Sequence, residues 1–364
     1  MVPVAVFFWD PNPEVFTLPL LHLPILWYGL FFALGFIVGF PIFVGILERF
    51  FIQKPYFEER ELLGDLQIPG LQGPQPKGIT ALVRALNEWL VSPAQVLEPI
   101  LPRKKALFCW NSLHSQEALR RLKLEQLFPK ALLSLHKQAV TLTDRLVIYL
   151  VIATVVGARV GHYLFYEKSS DYLEIFSIWR MRGLASHGAA IAIVIALWVF
   201  AYRYRAKLRG LTWLHLLDFV CVPTALAGAC IRVGNFFNQE ILGTPTSVSW
   251  AVIFGHPADG SWPIPRHPVQ LYEALGYLAV FFFLWRCSFA IKYLLGQGGK
   301  GGQGRLIGWF LLLVFGLRFV LEYWKEEQSR IMPDSLGLTM GQLLSIPAIL
   351  VGLILLLTRS KRTY

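Results

Sequence analysis

Seven runs of mostly apolar residues decide what this chain can fold into: 27–46, 146–166, 188–202, 211–229, 271–290, 306–324 and 341–358. A helix needs roughly 20 residues to cross the hydrocarbon core of a bilayer. All the runs except the shorter third one come close to that length. Lipid offers no partner to backbone N–H and C=O groups, so a spanning segment must bond to itself as a helix. The expected fold class is therefore an all-α polytopic membrane protein of about seven transmembrane helices. Composition agrees: only 16% of residues are charged and 55% are hydrophobic, against about 25% charged in a typical soluble domain.

The net charge of +11 could indicate nucleic acid, but its placement indicates topology instead. Arg203, Arg205, Lys207 and Arg209 follow the third run with no acid among them. Arg286, Lys292, Lys300 and Arg305 follow the fifth in the same way, and Arg359, Lys361 and Arg362 close the chain. The loops on the other side are balanced. The positive-inside rule then puts the N-terminus outside and the C-terminus in the cytoplasm, and no nucleic-acid partner is expected. This topology places 167–182, 232–273 and 325–334, with Ser186 and His187, on one outer side as a polar loop region.

Three parts are expected along the chain: 1–46, an outer segment with the first helix; 47–143, a basic cytoplasmic insertion; and 144–364, helices two to seven with the outer loops. The insertion holds a Pro/Gly-rich stretch, IPGLQGPQPKG, that reads as a turn or linker. Segments 79–90 and 116–128 have helical periodicity with charged faces, as in a small subdomain or surface helices. A second linker, GQGGKGGQG, covers 296–304. Cys109, Cys221, Cys230 and Cys287 form no CxxC pair and show no metal-ligand spacing, so neither a disulfide framework nor a metal site is implied. The first residues lack the basic region of a cleavable signal, which makes the first helix a retained targeting segment.

The chemistry gathers where charge meets the ends of apolar runs. CIRVGNFFNQEILG occupies 230–243, and Arg318 and Glu322 end the sixth run. An ionised group costs roughly 2.5–3.5 kcal/mol at the centre of a membrane helix on insertion scales, so Arg232, Glu240, Arg318 and Glu322 call for a role. Arg318 and Glu322 are spaced i,i+4 and can pair on one helical face. The arginines can be structural ion pairs, or forks that bind phosphate in bidentate fashion. His187 can be a structural head-group-level histidine or a group that takes and holds a proton. Asn235, Asn238 and Gln239 can be solvated loop amides, Gly234 and Gly243 turn glycines, and Tyr28 an interfacial anchor. Gln270 and Glu273 are not explained by the Pro-rich approach to the fifth run.

Six motifs then occur in order: WYGL at 27–30, SHGA at 186–189, RVGNFFNQE at 232–240, HPVQLYEAL at 267–275, RFVLE at 318–322 and MGQLLSIP at 340–347. Together they resemble the prolipoprotein diacylglyceryl transferases of bacterial inner membranes, over nearly the whole chain apart from 48–137. The resemblance implies transfer of the diacylglyceryl group of phosphatidylglycerol to the lipobox cysteine thiol of a prolipoprotein signal peptide. A thioether forms and glycerol phosphate leaves. It also implies a multi-pass location in the bacterial inner membrane, among membrane lipids, and no cofactor. Arg232, Asn235, Glu240 and Gly243 match the family's signature loop, and Tyr28, His187, Arg318 and Glu322 its other functional positions. The roles expected are His187, Arg232 and Arg318 in catalysis, and Tyr28, Asn235, Glu240, Gly243 and Glu322 in substrate binding. The two arginines suit the charge developing on the leaving phosphate. His187 is a base or a head-group positioner, and Glu240 and Glu322 hold the arginines or bind glycerol hydroxyls. The chain departs from the family pattern at Ala189, Ile231, Gln239 (usually glycine), Thr244 and Val314.

A transporter or channel is the competing reading, since intramembrane charge also marks transport paths. It calls for polar residues leading to both faces, whereas here they crowd at one, and no inverted repeat relates the halves. A structural scaffold leaves Arg232 and Arg318 without a role.

Overall fold

The computed structural model describes residues 7–18, 23–53, 129–165, 185–205, 211–289, 302–326 and 338–358. The expected helices at 79–90 and 116–128, the loop 167–182 and most of 325–334 lie outside the described residues.

Among the described residues, seven long helices overlap the apolar runs: α1 Trp27–Gln53, α2 Pro129–Phe165, α3 Ser186–Tyr204, α4 Trp213–Phe237, α5 Val269–Ser288, α6 Arg305–Leu321 and α7 Met340–Leu357. Six are long and apolar enough to cross a membrane. The seventh, α5, has 20 residues, but Gln270, Glu273 and Arg286 lower its apolar character. On α2 and α3, Ile148, Ile152, Val155, Ile191, Ile195 and Trp198 are each more than half exposed. Such faces suit acyl chains, not water. Three boundaries differ from expectation. The first helix runs on to Gln53, past 46, and the second begins at Pro129, inside the expected insertion 47–143, instead of near 146. The fourth helix runs on to Phe237 instead of ending near 229, so Arg232 and Asn235 are helical residues in its last turns. Continuing the helix lets the backbone of 230–237 satisfy itself before the chain leaves lipid.

Two compact units divide the chain: Met1–Phe43 with Ile148–Arg203 and Leu211–Tyr364, and Val44–Val147 with Tyr204–Gly210. In the second, Arg49 Nε donates to the Gly45 carbonyl at 3.1 Å, and His136 Nδ1 lies 3.4 Å from Glu48 Oε2.

In the first unit, α4, α5, α6 and α7 pack as a group, α4 on α5, α5 on α6 and α6 on α7. Sequence fixes where two of them start. Thr212 and His215 form a reciprocal capping box on α4, and Thr339 and Gln342 do the same on α7, satisfying otherwise orphaned N–H groups. The start of α6 is held differently. Asp218, buried within α4, accepts from Gly304 N at 2.7 Å and Ile307 N at 2.8 Å. Gly304 makes the approach in the left-handed region at φ +87°. Between α2 and α3, Gly157, Gly161 and Gly188 meet so closely that a Cβ on Gly161 would lie 2.6 Å from Gly188 Cα. This close seam, at which α3 begins, places His187.

The polar region is not only loop. β1 (Phe7–Trp9) runs parallel to β4 (Val252–Phe254), which pairs antiparallel with β5 (Pro265–Arg266). β2 (Glu14–Leu18) and β3 (Leu23–Leu26) form a hairpin leading directly into α1. Trp9 pins the small sheet to the end of α4: its indole N–H donates to the Phe236 carbonyl at 3.1 Å and its ring stacks on Phe236 at 4.8 Å.

Candidate active site

The chain direction brings one set of helix ends together. α4 and α6 finish where α1, α5 and α7 begin, and Tyr28, Arg232, Glu273, Arg318 and Glu322 all stand within two turns of those ends.

Arg232 is the centre. Its Nη1 donates to Asn235 Oδ1 at 3.1 Å, one helical turn on. Its Nε lies 3.0 Å from Glu273 Oε2 on α5. That contact is an ion pair by distance but poorly aligned, so Arg232 Nε and Glu273 Oε2 both stay without a hydrogen bond. Glu273 is fully buried, and its other oxygen accepts from Lys325 Nζ at 2.8 Å and from the Tyr277 hydroxyl at 3.4 Å. Lys325 also lies 3.3 Å from Glu322 Oε2. The result is a line of charges, Arg232–Glu273–Lys325–Glu322, crossing from α4 over α5 to the end of α6. Buried charges of this kind persist only as a set, because removing one strands its neighbour.

Two expectations are corrected here. Glu322 does not pair with Arg318 across one helical turn. The helix tightens into a 3-10 turn at Glu322–Trp324, which carries the carboxylate to Lys325 and onto Gly341 of α7, where a Cβ would collide with it. Nor does Glu240 hold Arg232. Glu240 Oε1 accepts from Asn235 Nδ2 at 2.7 Å and Asn238 Nδ2 at 3.4 Å, and Arg232 reaches it only through Asn235. Both donors meet the same oxygen, so Glu240 Oε2 has no hydrogen bond among the described residues.

Arg318 behaves unlike Arg232. It is half-buried, and its guanidinium makes no hydrogen bond or ion pair with any described residue. Tyr277 is in electrostatic reach of both arginines, so the open fork lies near the same locus. Tyr28 interacts electrostatically with Glu240 and Arg232. Gly234 makes room for it, since a Cβ there would come within 3.0 Å of the Tyr28 ring.

Of the three amides read as possible solvated loop groups, two are buried, Asn235 at 4% exposed and Gln239 at 3%, and Asn238 is half-buried. Gly243 is not a left-handed turn glycine but a point of close approach. A Cβ there would strike the His267 carbonyl and lie 2.7 Å from Val269 Cγ2. That contact lets Gly243 bridge to Lys325 along the backbone, while Thr244 N donates to the Trp324 carbonyl at 2.8 Å. The signature loop thereby fixes the segment bearing Lys325. Arg266, 3% exposed, adds a bond to the Gly243 carbonyl at 3.1 Å and a close pair with Glu326.

His187 opens α3 and is half-buried, but no described contact joins it directly to Arg232 or Arg318. Sequence reasoning missed Lys325, Tyr277 and Asp218. Lys325 had a usable signal, its i,i+3 spacing from Glu322. Tyr277 is one turn beyond Glu273, the residue whose presence in the fifth run was unexplained. Among the described residues no group of three or more His, Cys, Asp or Glu side chains is placed to hold a metal ion.

The geometry is a locus of two arginines, one braced and one open, with Glu240 and Tyr28 beside the braced one, at the end of a bundle of apolar helices. A family model, prolipoprotein diacylglyceryl transferase, matches residues 124–358. The chain belongs to this family. The Protochlamydia amoebophila phosphatidylglycerol–prolipoprotein diacylglyceryl transferase is 39% identical over 369 residues, covering 97% of this chain and 94% of the relative. The Tolumonas auensis enzyme of that name is 41% identical over 60% of this chain and 79% of its own. The Chlamydia trachomatis enzyme is 42% identical over 58% and 75%. Arg232, Glu273, Arg318, Glu322 and Lys325 all fall inside the family match.

Proposed function

We propose that this chain transfers the diacylglyceryl group of phosphatidylglycerol to the lipobox cysteine of a prolipoprotein in the bacterial inner membrane. The observation that carries the reading, beside the family match, is the contrast between the arginines: Arg232 braced by Asn235 and Glu273, Arg318 open. A braced fork and an open fork on one locus suit a phosphate bound across both. In the reaction the cysteine sulfur attacks the glyceryl carbon that bears the phosphate. The C–S bond forms as the C–O bond breaks, and the electron pair leaves on glycerol phosphate. The thiol has to lose its proton, because the thiolate is the nucleophile and a free thiol has a pKa of about 8.5.

The protein's tasks are then separable. Arg232 and Arg318 stabilise the charge growing on the phosphate, most effectively where water is scarce. Glu240, with Oε2 open, and Tyr28 receive the glycerol hydroxyls. Glu273, Lys325 and Glu322 keep the arginine locus rigid and electrically balanced, and Gly243 lets the loop close on it. His187 takes the thiol proton or positions the head group. The outer placement of these helix ends, with a cytoplasmic C-terminus, follows from the loop charges.

The test is a transfer assay with purified protein, phosphatidylglycerol labelled in an acyl chain, and a peptide carrying a lipobox cysteine. Label on that peptide and none on its Cys→Ser counterpart is the expected result. No label on either peptide, with folded protein, sinks the reading and brings the transporter alternative forward.

A further inference from the structure

Glu240 sits between two residues in the left-handed region. Gln239 has φ 53° and Ile241 φ 57°, and no other described non-glycine residue has positive φ. A β-branched residue there is an outlier, and such strain persists only where the surroundings impose it, commonly at functional sites. The surroundings here can be named. The Gln239 side chain, 3% exposed, donates through Nε2 to Asp10 Oδ1 at 3.1 Å and accepts from His256 N at 2.7 Å. Its backbone carbonyl accepts from Ala258 N at 3.0 Å. On the other flank, Gln270 Nε2 donates to the Glu240 carbonyl at 2.7 Å.

Asp10 is itself held in place. It directly follows β1, which is zipped to β4, and its carboxylate packs over Gly255, where a Cβ would collide with it. Among the described residues, the charged or titratable group facing it is His256, Nδ1 at 2.6 Å. The N-terminal strand thus reaches across more than 220 residues to the residue preceding Glu240.

We propose that Gln239, bridged to Asp10, is a positioning residue: it holds the left-handed turn at 239–241 and so aims the Glu240 carboxylate into the site. This rests on the reading above, in which Glu240 meets the glycerol hydroxyls of phosphatidylglycerol. Its consequence is that the N-terminal strand, far from the signature loop in sequence, helps set affinity for the lipid head group.

The experiment uses the full chain in nanodiscs of defined phosphatidylglycerol content, with the lipobox peptide as acceptor, and separates KM for the lipid from kcat. Gln239→Ala keeps the strain and loses the bonds, so KM rises about tenfold, the size of effect one left-handed non-glycine residue carries. Gln239→Gly loses the same bonds but adopts this φ freely, so it returns to within about threefold of the wild-type KM. Asp10→Ala raises KM as Gln239→Ala does, and the double variant is no worse than either single one, as for two residues acting through one contact. An unchanged KM in Gln239→Ala, or a glycine variant no better than the alanine one, overturns the proposal. If the alanine variants fail to fold, the Gln239→Gly KM decides: a value more than about tenfold above wild type also overturns it. A wild-type protein that labels no peptide defeats the transferase reading itself; normal wild-type transfer with an indifferent Gln239 defeats only the positioning role.

Discussion

The two ends of α4 both bury an ionisable side chain and treat it in opposite ways. At one end Asp218 is satisfied by backbone amides of Gly304 and Ile307, which ties the start of α6 to α4. At the other, Arg232 stands in a crowd of charges where Arg232 Nε, Glu273 Oε2, Glu322 Oε2 and Gln270 Oε1 are buried without a hydrogen bond, and Arg318 lies open beside them. A buried polar group left unsatisfied is expensive, so proteins seldom keep several together. The satisfied end is architecture. The other end, its charges held to one another by ion pairs and its Arg318 fork open, is where we propose that substrate binds.

The sharpest way to break this contrast is Arg232→Ala. It removes the proposed phosphate ligand and leaves Glu273 with a single cation, so transfer falls roughly 100- to 1,000-fold and stability drops by about 3–5 kcal/mol. The measurements are the labelled-lipid assay and thermal unfolding in detergent. Arg318→Ala comes next and separates the two effects. Transfer falls as far, but the unfolding midpoint stays at the wild-type value, because no described residue depends on this guanidinium. Arg318→Lys keeps a charge but not the fork and also loses transfer. A large drop in the Arg318→Ala midpoint would show that the fork is structural after all.

Asp218→Ala tests the satisfied end. Stripping two amides of their acceptor costs about 1–3 kcal/mol for each, read as a lower unfolding midpoint, while transfer per folded molecule is unchanged. Loss of transfer there without loss of stability would erase the distinction between the two ends. The smallest effect is expected from protonating Asp10, whose carboxyl is held below its ordinary value of 3.8 by hydrogen bonds from His256 and then Gln239. A depressed carboxylate stabilises fully above its unfolded pKa and loses that contribution as pH falls through the folded one. Amide exchange at Gly255 and His256, which bond to Trp9 O and Gln239 Oε1, should therefore quicken below about pH 4. In Asp10→Ala it is already fast at neutral pH.

How legible the molecule was in its sequence depends on the range of each interaction. The helices were legible because a bilayer imposes a length and an apolar composition that twenty consecutive residues must meet by themselves. The motif order pointed to the family, which the matches bear out. The i,i+4 pairing of Arg318 with Glu322 was a local inference and failed, because a 3-10 turn beyond α6 redirects the carboxylate to Lys325. The end of α4 was misplaced for a related reason: Arg232 and Asn235 read as loop residues, but partners on α5 and at Glu240 pay for their place in the helix.

The sequence by itself determined the membrane-spanning class, the crowding of polar groups at one set of helix ends, and Arg232 and Arg318 as residues that call for a role. Each follows from burial, spacing or charge counted along the chain. Tertiary structure alone decided that Glu273 braces Arg232, that Lys325 lies between two carboxylates, that Asp10 grips Gln239, and that Arg318 stays open. Those pairings join residues tens to hundreds of positions apart. Their energies depend on a few ångströms of separation, which only the packing of the helices sets.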